Sequence, residues 1–506
     1  MTRRVRFYPN DPDAPVGLIS APTLEPDAHE PKFTIEGRRY APAAYAPGTL
    51  AFQYWQGEIA LARTIRVWEE LFERNFDAWH EEQPLRVRLR AGKDLNAFYD
   101  RKSLQFFYDT DRKTGRTVYA VESLDVVAHE AGHAVLDVYQ PGLWSAPDLE
   151  SASFHEAFAD CSALLTTLTD PAVRKALLAE AAGRWDASNQ VSRLAEALGR
   201  ALYDNYGPGA VSDPTRLRDA RNQFRYSPPE KLRPGAPDSA LAPEPHSFSR
   251  VFSGAFYDTL LGVLARELAR DSGEAGLEAA RLATGRLLAR AIETMPPGEA
   301  RYRSIALRMR ALDQAEAGGT ATPALEAAFA RHGIRLPTLA SRASGGRGVR
   351  GRALREGPKD ALLKALDPDL PGGVNALRAA LGLSAGEKLA RTGGPLRTRT
   401  GFREQLIHTM EVCVRHPSLG RLSGIVVSVP CGCTLTRNAG GDVEGVALAP
   451  RRAHGAAEFA RMLLPWVRMD AIDPHRGSRA DSRERFRERK PFRLTASGLL
   501  KRVYFD

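Results

Sequence analysis

The feature that most limits what this chain can fold into is the run from Val126 to Val138, where Val126, Val127, Ala128, Ala131, Ala134, Val135 and Val138 surround His129, Glu130 and His133. Apolar on most sides, such a run reads as a helix buried in a core. Residues four apart on a helix share a face, separated by about 6 Å along the axis, so the imidazoles of His129 and His133 can reach one ion. Two imidazoles on a buried helix are poorly solvated without a partner, and a divalent cation supplies one. Glu130 adjoins a ligand but points to another side of the helix, where it can accept a proton from a water molecule on that ion. The plainer alternative is a pair of ordinary core histidines.

A hydrolytic zinc centre takes three protein ligands and keeps a fourth position open for water. Glu156 is the candidate third ligand. It lies in Glu150-Ser-Ala-Ser-Phe-His155-Glu156-Ala157-Phe158-Ala159-Asp160, a second apolar-periodic stretch that continues through Cys161, Leu164 and Leu165. Its position, 23 residues beyond His133, leaves room for one turn and a returning helix.

With these residues the chain resembles the thermolysin-like gluzincin zinc metallopeptidases of the M4 type, whose pattern is His-Glu-x-x-His followed by Glu-x-x-x-Asp on the next helix. Asp125 to Glu130 and His133 to Val135 are similar to the family's extended signature around the zinc helix. Asn96-Ala97-Phe98-Tyr99 looks like its substrate-binding edge strand, which implies that Asn96 and Ala97 align a peptide. His246, followed by Ser249, Gly254 and Tyr257, is similar to the segment that carries an oxyanion-stabilising His, and Arg218 sits where the family keeps an Arg that holds a substrate carbonyl. Ala324 to Ile334 resembles the helix that closes the catalytic unit, so the likeness spans residues 50–340. It implies an α+β, two-lobed zincin unit: an N-terminal sheet-plus-helix lobe, a mainly helical second lobe, and a peptide-binding cleft between them. It also implies Zn²⁺ as cofactor, a peptide or protein as substrate, and endopeptidase activity with Glu130 as general base and His246 sharing the oxyanion. Asp160, one turn beyond Glu156, would then fix the tautomer of His129.

The departures from the pattern are specific. His155 replaces the Asn expected before Glu156, which alters the surroundings of the ligands and makes His155 a competing ligand. The family Tyr has no clear counterpart, Tyr139 being too early and Trp144 nearer the expected spacing. Asp125 is retained from the paired calcium site, but Thr167 stands where a partner Glu belongs, so that calcium pair is not expected. The Asp that orients the oxyanion His is missing, with Glu244 or Asp238 as substitutes. Each secondary assignment has a plainer reading: Asp160 a solvated carboxylate, Arg218 a surface Arg, His246 a loop imidazole, Asn96 a turn residue.

With 43% apolar and 26% charged residues among 506, the chain can form two or three domains with proper cores. The expected division is an N-terminal arm over 1–50, the first lobe with the zinc helix over 51–144, and the helical lobe over 145–340. A basic Gly/Arg-rich linker over 341–358 and a smaller α/β or α+β domain over 359–506 follow. Spacing predicts a long amphipathic helix from Phe52 to Phe76 and strands at Leu85–Leu89, Phe106–Tyr108 and Val118–Val121. In the last region it predicts a helical start near 360–391, a strand over Gly424–Pro430, a turn at Asn438–Asp442 and a helix over 453–468.

The formal net charge of +10 belongs to the tail: from 341 onward 30 Lys and Arg face 16 Asp and Glu, a balance of +14, while the first 340 residues carry −4. Two competing functions follow, a metallopeptidase-like binding protein without catalysis, and an adaptor that binds an anionic partner through this basic region. The stretch Arg483–Lys490 is mixed in sign and reads first as a solvated helix face. Four cysteines do not form a disulfide framework, and His408, Cys413, His416, Cys431 and Cys433 match no standard zinc spacing; the thiols read as buried. No window approaches the ~18 apolar residues of a membrane span. Basic residues at the N-terminus precede no apolar core, so a cytoplasmic location is expected by default, with export by a route that needs no cleavable signal as the alternative. The oligomeric state is open.

Overall fold

A computed structural model describes residues 4–22, 32–76, 78–81, 83–271, 273–298, 300–337, 358–392, 395–398, 400–451, 455–474 and 490–504. The first strands, β1 (Arg4–Phe7) and β2 (Ile19–Pro22), pair antiparallel, and Val5 and Phe7 bury against Ile59. Ile59 belongs to helix α1 (Leu50–Phe72), which starts at Thr49, whose side chain accepts from the Phe52 amide. The helix ends before the expected Phe76 because Glu73 turns left-handed, with φ 54°. Its anchor is Trp68, fully buried, stacked on Phe158 at 4.3 Å and donating through Nε1 to Ser162 Oγ at 3.1 Å.

A four-stranded sheet is formed by β3 (Phe33–Ile35), β4 (Leu85–Arg88), β5 (Ala97–Tyr99) and β6 (Ser103–Phe106), in the order β3-β4-β6-β5. Alternation is visible in β4, where Leu85 and Val87 are buried and Arg88 is exposed. Only β6 pairs with β5 among the described residues, antiparallel with Phe98 opposite Gln105, so β5 is an edge strand. The strand expected over Val118–Val121 is shorter. Thr117–Tyr119 is a strand, and Ala120–Glu122 coils into a 3₁₀ turn that delivers Ser123 as cap of the next helix.

That helix, α2 (Leu124–Tyr139), packs against α3 (Leu149–Thr167), every residue of which is buried. Then come α4 (Pro171–Ala181), α5 (Glu196–Tyr206), α6 (Pro245–Leu268), α7 (Glu274–Thr294), α8 (Tyr302–Glu316) and α9 (Thr322–Arg331). Helix α3 is sandwiched between α2 and α6, and α9 closes over α6. The fold is mixed α+β, without a closed barrel among the described residues. Among the described residues no helix is long and apolar enough to cross a membrane.

Beneath α2, Asp11, Asp125 and Glu196 are buried together. Asp11 accepts from the Ala197 amide at 2.9 Å and Asp125 from the Thr167 hydroxyl at 2.9 Å. Burial pushes the carboxyls of Asp11 and Asp125 up and that of Glu196 to about 7; the charges of Asp11 and Glu196 raise Asp125 further, and that of Asp11 raises Glu196. The folded chain therefore holds a proton on Glu196 that the unfolded chain releases above its ordinary value of 4.5, so this contribution to stability is lost as pH rises towards 7. A melting temperature that falls between about pH 4.5 and about pH 7 and levels off above that, with a shallower fall in Glu196→Gln, is the expected calorimetric result. A flat profile in the parent would contradict it.

The later residues form α10 (Pro358–Ala365), α11 (Gly373–Leu381) and α12 (Ala456–Arg468), with an antiparallel meander of Gly401–Val414, Ile425–Asn438 and Val443–Ala449. The helical start expected near 360–391 is broken in two by Pro368, Pro371 and Gly372, and Ala390–Arg391 is already strand. The strand expected over Gly424–Pro430 runs on to Asn438, because Gly401–Val414 pairs with it along its whole length. Cys431 and Cys433 lie in it, free and buried, and burial pushes the Cys433 thiol up to about 12. This region shares one core with the lobes before it, since Trp466 and Phe492 belong to the same cluster as Trp68 and Leu164. Trp466 Nε1 donates to the Pro147 carbonyl at 2.8 Å, and Thr434 Oγ1 to the Met295 carbonyl at 2.7 Å. The expected linker, except residue 358, and the stretch 483–489 lie outside the described residues.

Candidate metal centre

Two helices meeting at close quarters create the site. Helix α2 carries His129 and His133 one turn apart, and α3 returns with Glu156 facing them. One ligand atom from each of these three buried residues lies within 4.8 Å of the others, and no other such group of His, Cys, Asp or Glu occurs among the described residues. Nε2 of His129 is 3.3 Å and Nε2 of His133 is 3.6 Å from Glu156 Oε2, so the Nε2 atoms converge and the Nδ1 atoms point outward.

The outward nitrogens are both engaged. Nδ1 of His129 lies 3.2 Å from Asp160 Oδ1, a contact that makes this nitrogen the donor and frees Nε2 as a lone pair. Nδ1 of His133 meets Nδ1 of His155 at 2.8 Å. His155 therefore stands behind His133 and outside the ligand cluster, where it takes the orienting part rather than that of a competing ligand. A contact between two ring nitrogens needs one donor and one acceptor, and a ligating His133 donates through Nδ1.

Charge states suit a cation. Burial pushes His133 down to about 4 and His155 well below its ordinary value, which keeps both rings neutral. Burial alone would raise Glu156, yet the imidazoles of His246, His133 and His129 hold it well below the usual carboxylate range. Asp160 is likewise kept low against burial, by Arg218 and His129. In His129 burial lowers the pKa, but the acceptors Asp160 and Glu156 outweigh it, so the net shift is upward. Two imidazole nitrogens and one carboxylate at this separation fit a zinc ion with one position left open.

His155→Ala is expected to weaken zinc binding by roughly 10- to 100-fold, as loss of a ligand's orienting partner commonly does. Competition with a fluorescent zinc chelator would show it, and His155→Asn, which keeps an acceptor next to His133, should recover most of the loss. Equal affinity in the parent and His155→Ala would remove this role.

The other sequence-derived residues fall as follows. Glu130 is buried on α2, between the two ligands in sequence. His246 lies at the first turn of α6 with Nε2 3.2 Å from Glu156 Oε2 and Nδ1 2.7 Å from Glu244 Oε1, its side chain 30% exposed. Glu244 is also the cap of α6, accepting from the amides of His246 and Ser247, while Asp238 is held by Arg250 at 2.8 Å. Arg218 is no surface residue: its guanidinium is bound to Asp160 Oδ1 at 2.8 Å through Nη2 and 3.1 Å through Nε. Asn96 immediately precedes β5, and Ala97 is buried on it; the Asn96 Oδ1 accepts from the Ala97 amide at 2.8 Å and is thus committed to its own strand. The rings of Tyr139 and Trp144 are engaged elsewhere. Tyr139 stacks on Phe72 at 3.8 Å, and Trp144 lies edge-on to Tyr99 at 5.9 Å under the Arg101 guanidinium. The pairing of His155 with His133 went unassigned from sequence, although its position next to Glu156 was the signal for it.

Residues 56–137 match the family model of the thermolysin metallopeptidase catalytic domain. No curated protein matches the chain. Among solved structures, the precursor of protealysin, a metalloproteinase from Serratia proteamaculans, is similar at 15% identity over 60% of this chain and 86% of that one, with a TM-score of 0.37. The family match ends within α2, just past His133, and Glu156 on α3 completes the group that could hold a metal ion. Residues 56–137 are thus similar to the catalytic domain of the thermolysin metallopeptidases, and the His129, His133 and Glu156 cluster is consistent with the zinc site of that family.

Proposed function

We propose that the protein is a zinc-dependent endopeptidase. The observation that supports this reading best is the convergence of His129, His133 and Glu156 within 4.8 Å, with Glu130 on the ligand helix. Zinc bound there supplies Lewis acidity, polarising a carbonyl and acidifying a water molecule. Glu130 accepts the proton of the attacking water and passes it to the leaving amine. His246, steered by Glu244, donates to the developing oxyanion, a role that its partial exposure and its contact with Glu156 favour. Asp160 holds His129 and at the same time positions Arg218, whose remaining donors can hold a substrate carbonyl.

The substrate is a polypeptide in extended form. Strand β5 packs against α2 and keeps one edge without a strand neighbour among the described residues, which is the arrangement a peptide needs to add as a further strand. Zinc-dependent cleavage of an unstructured protein by the full chain, and its loss with chelator, is the test.

A further inference from the structure

Phe98, in the middle of β5, is buried by a residue from the far end of the described chain. Ala97 and Tyr99 face the main core, so Phe98 points to the opposite face, where it packs on Phe107 at 5.5 Å and on Tyr504 at 5.7 Å. With Ala91 and Val503 at their margin these rings make a separate small apolar cluster, in which Phe98, Phe107 and Tyr504 are only 5%, 7% and 6% exposed.

Tyr504 is delivered by a firm support. Leu500–Arg502 is a strand paired with Phe492–Leu494, and the Val503 amide donates to the Pro491 carbonyl at 2.8 Å. The Arg502 guanidinium lies 4.3 Å over the Phe492 ring, and its Nε donates to the Trp144 carbonyl at 3.2 Å, on the turn that joins the two ligand helices. The hairpin is thus fastened to the catalytic unit, while its last described residue rests on β5.

We propose that Tyr504 determines access and specificity at an apolar subsite on the Phe98 face of β5, and that an entering polypeptide displaces it with an aromatic or large aliphatic side chain. The inference rests on the reading of β5 as the substrate strand. A strand added to β5 places alternate side chains on the Phe98 face, so the one nearest Phe98 meets the volume that Tyr504 fills. The two phenylalanines left behind accept a replacement of like size and polarity, because an unfilled gap between them forfeits packing on every side. A small or charged side chain leaves Tyr504 in place.

The test measures binding without hydrolysis, in the full chain carrying Glu130→Gln. Fluorescein-labelled alanine decapeptides with one central Phe or one central Ser are titrated against that protein and against the same protein with Tyr504→Ala. The Phe peptide is expected to bind about tenfold more tightly after Tyr504→Ala, equivalent to about 1.4 kcal/mol, and the Ser peptide to change little. An unlabelled peptide of residues 499–504 should then displace the Phe peptide from the Tyr504→Ala protein more readily than from its parent, which a misfolded variant would not do. Tyr504→Leu, a smaller apolar plug, gives an intermediate gain and serves if the Ala variant does not fold. Equal affinity for the Phe peptide with and without Tyr504, equal gains for both peptides, or binding by neither protein overturns the proposal. Failure of the native chain to cleave, with the binding difference intact, counts instead against the peptidase reading.

Discussion

Glu130→Gln should lower kcat for peptide hydrolysis by roughly 10³-fold, within the range that a positioned general base contributes, while zinc content and melting temperature stay those of the parent. The substitution keeps the shape of the side chain and removes only its capacity to take a proton, so a buried position such as this one tolerates it. The loss is expected in kcat, because the proton moves in the transition state and the peptide contacts proposed at β5 and Arg218 do not involve Glu130. Chelation should abolish cleavage in the parent, and added zinc should restore it. Quenched-fluorescent peptides for the kinetics and atomic absorption for the metal separate the possible results. Cleavage that survives either chelation or Glu130→Gln would eliminate the mechanism, and loss of zinc from Glu130→Gln would show that the residue holds the site together instead.

The convergence of His129, His133 and Glu156 could be read from the sequence because it is written in local periods. His129 and His133 share a face through the 3.6-residue repeat, and the apolar repeat around Glu156 announced a second buried helix at a distance suited to return. Spacing does not report what stands behind a ligand. The Nδ1 contact between His133 and His155 depends on the register of α3 against α2, which is a tertiary quantity, and a His was as readable there as a rival ligand. The choice of Glu244 over Asp238 likewise turns on Arg250, which claims Asp238 from the side of α6. Helix ends were misread where a single backbone residue decides them, as Glu73 does for α1. The length of the strand through Cys431 was missed because its partner is another strand, and strand pairing is non-local. Least visible of all was the hairpin that carries Tyr504, whose meaning comes from Phe98, hundreds of positions earlier in the chain.

Gly132→Ala should destabilise the fold and, separately, loosen the metal centre. A Cβ at Gly132 would stand 2.5 Å from Ser162 Oγ, 2.9 Å from Ser162 Cβ and 3.0 Å from the Ala159 Cα, so α2 and α3 touch through backbone at this point. Ser162 has no latitude to withdraw, since its hydroxyl donates to the Phe158 carbonyl at 2.8 Å and accepts from Trp68 at 3.1 Å, and the Ala159 contact is main chain. The two helices must move apart. Overpacking of this kind costs about 1–3 kcal/mol, against which Ala regains roughly 1 kcal/mol of helix propensity, leaving a net loss of up to about 2 kcal/mol. The larger consequence falls on function, because Gly132 lies between His129 and His133 on one helix and faces the segment that follows Glu156 on the other. Spreading that contact widens the cluster in which all three ligand atoms now lie within 4.8 Å, and a displacement of about 1 Å at such a site can cost on the order of 10²-fold in activity. Gly262→Ala is the control: its Cβ would meet the Ala324 Cβ at 2.6 Å, between α6 and α9, and should lower stability without changing zinc affinity. Equal zinc affinity in Gly132→Ala and its parent would mean that the ligands follow the helices freely, and the close approach of α2 and α3 would then serve packing alone.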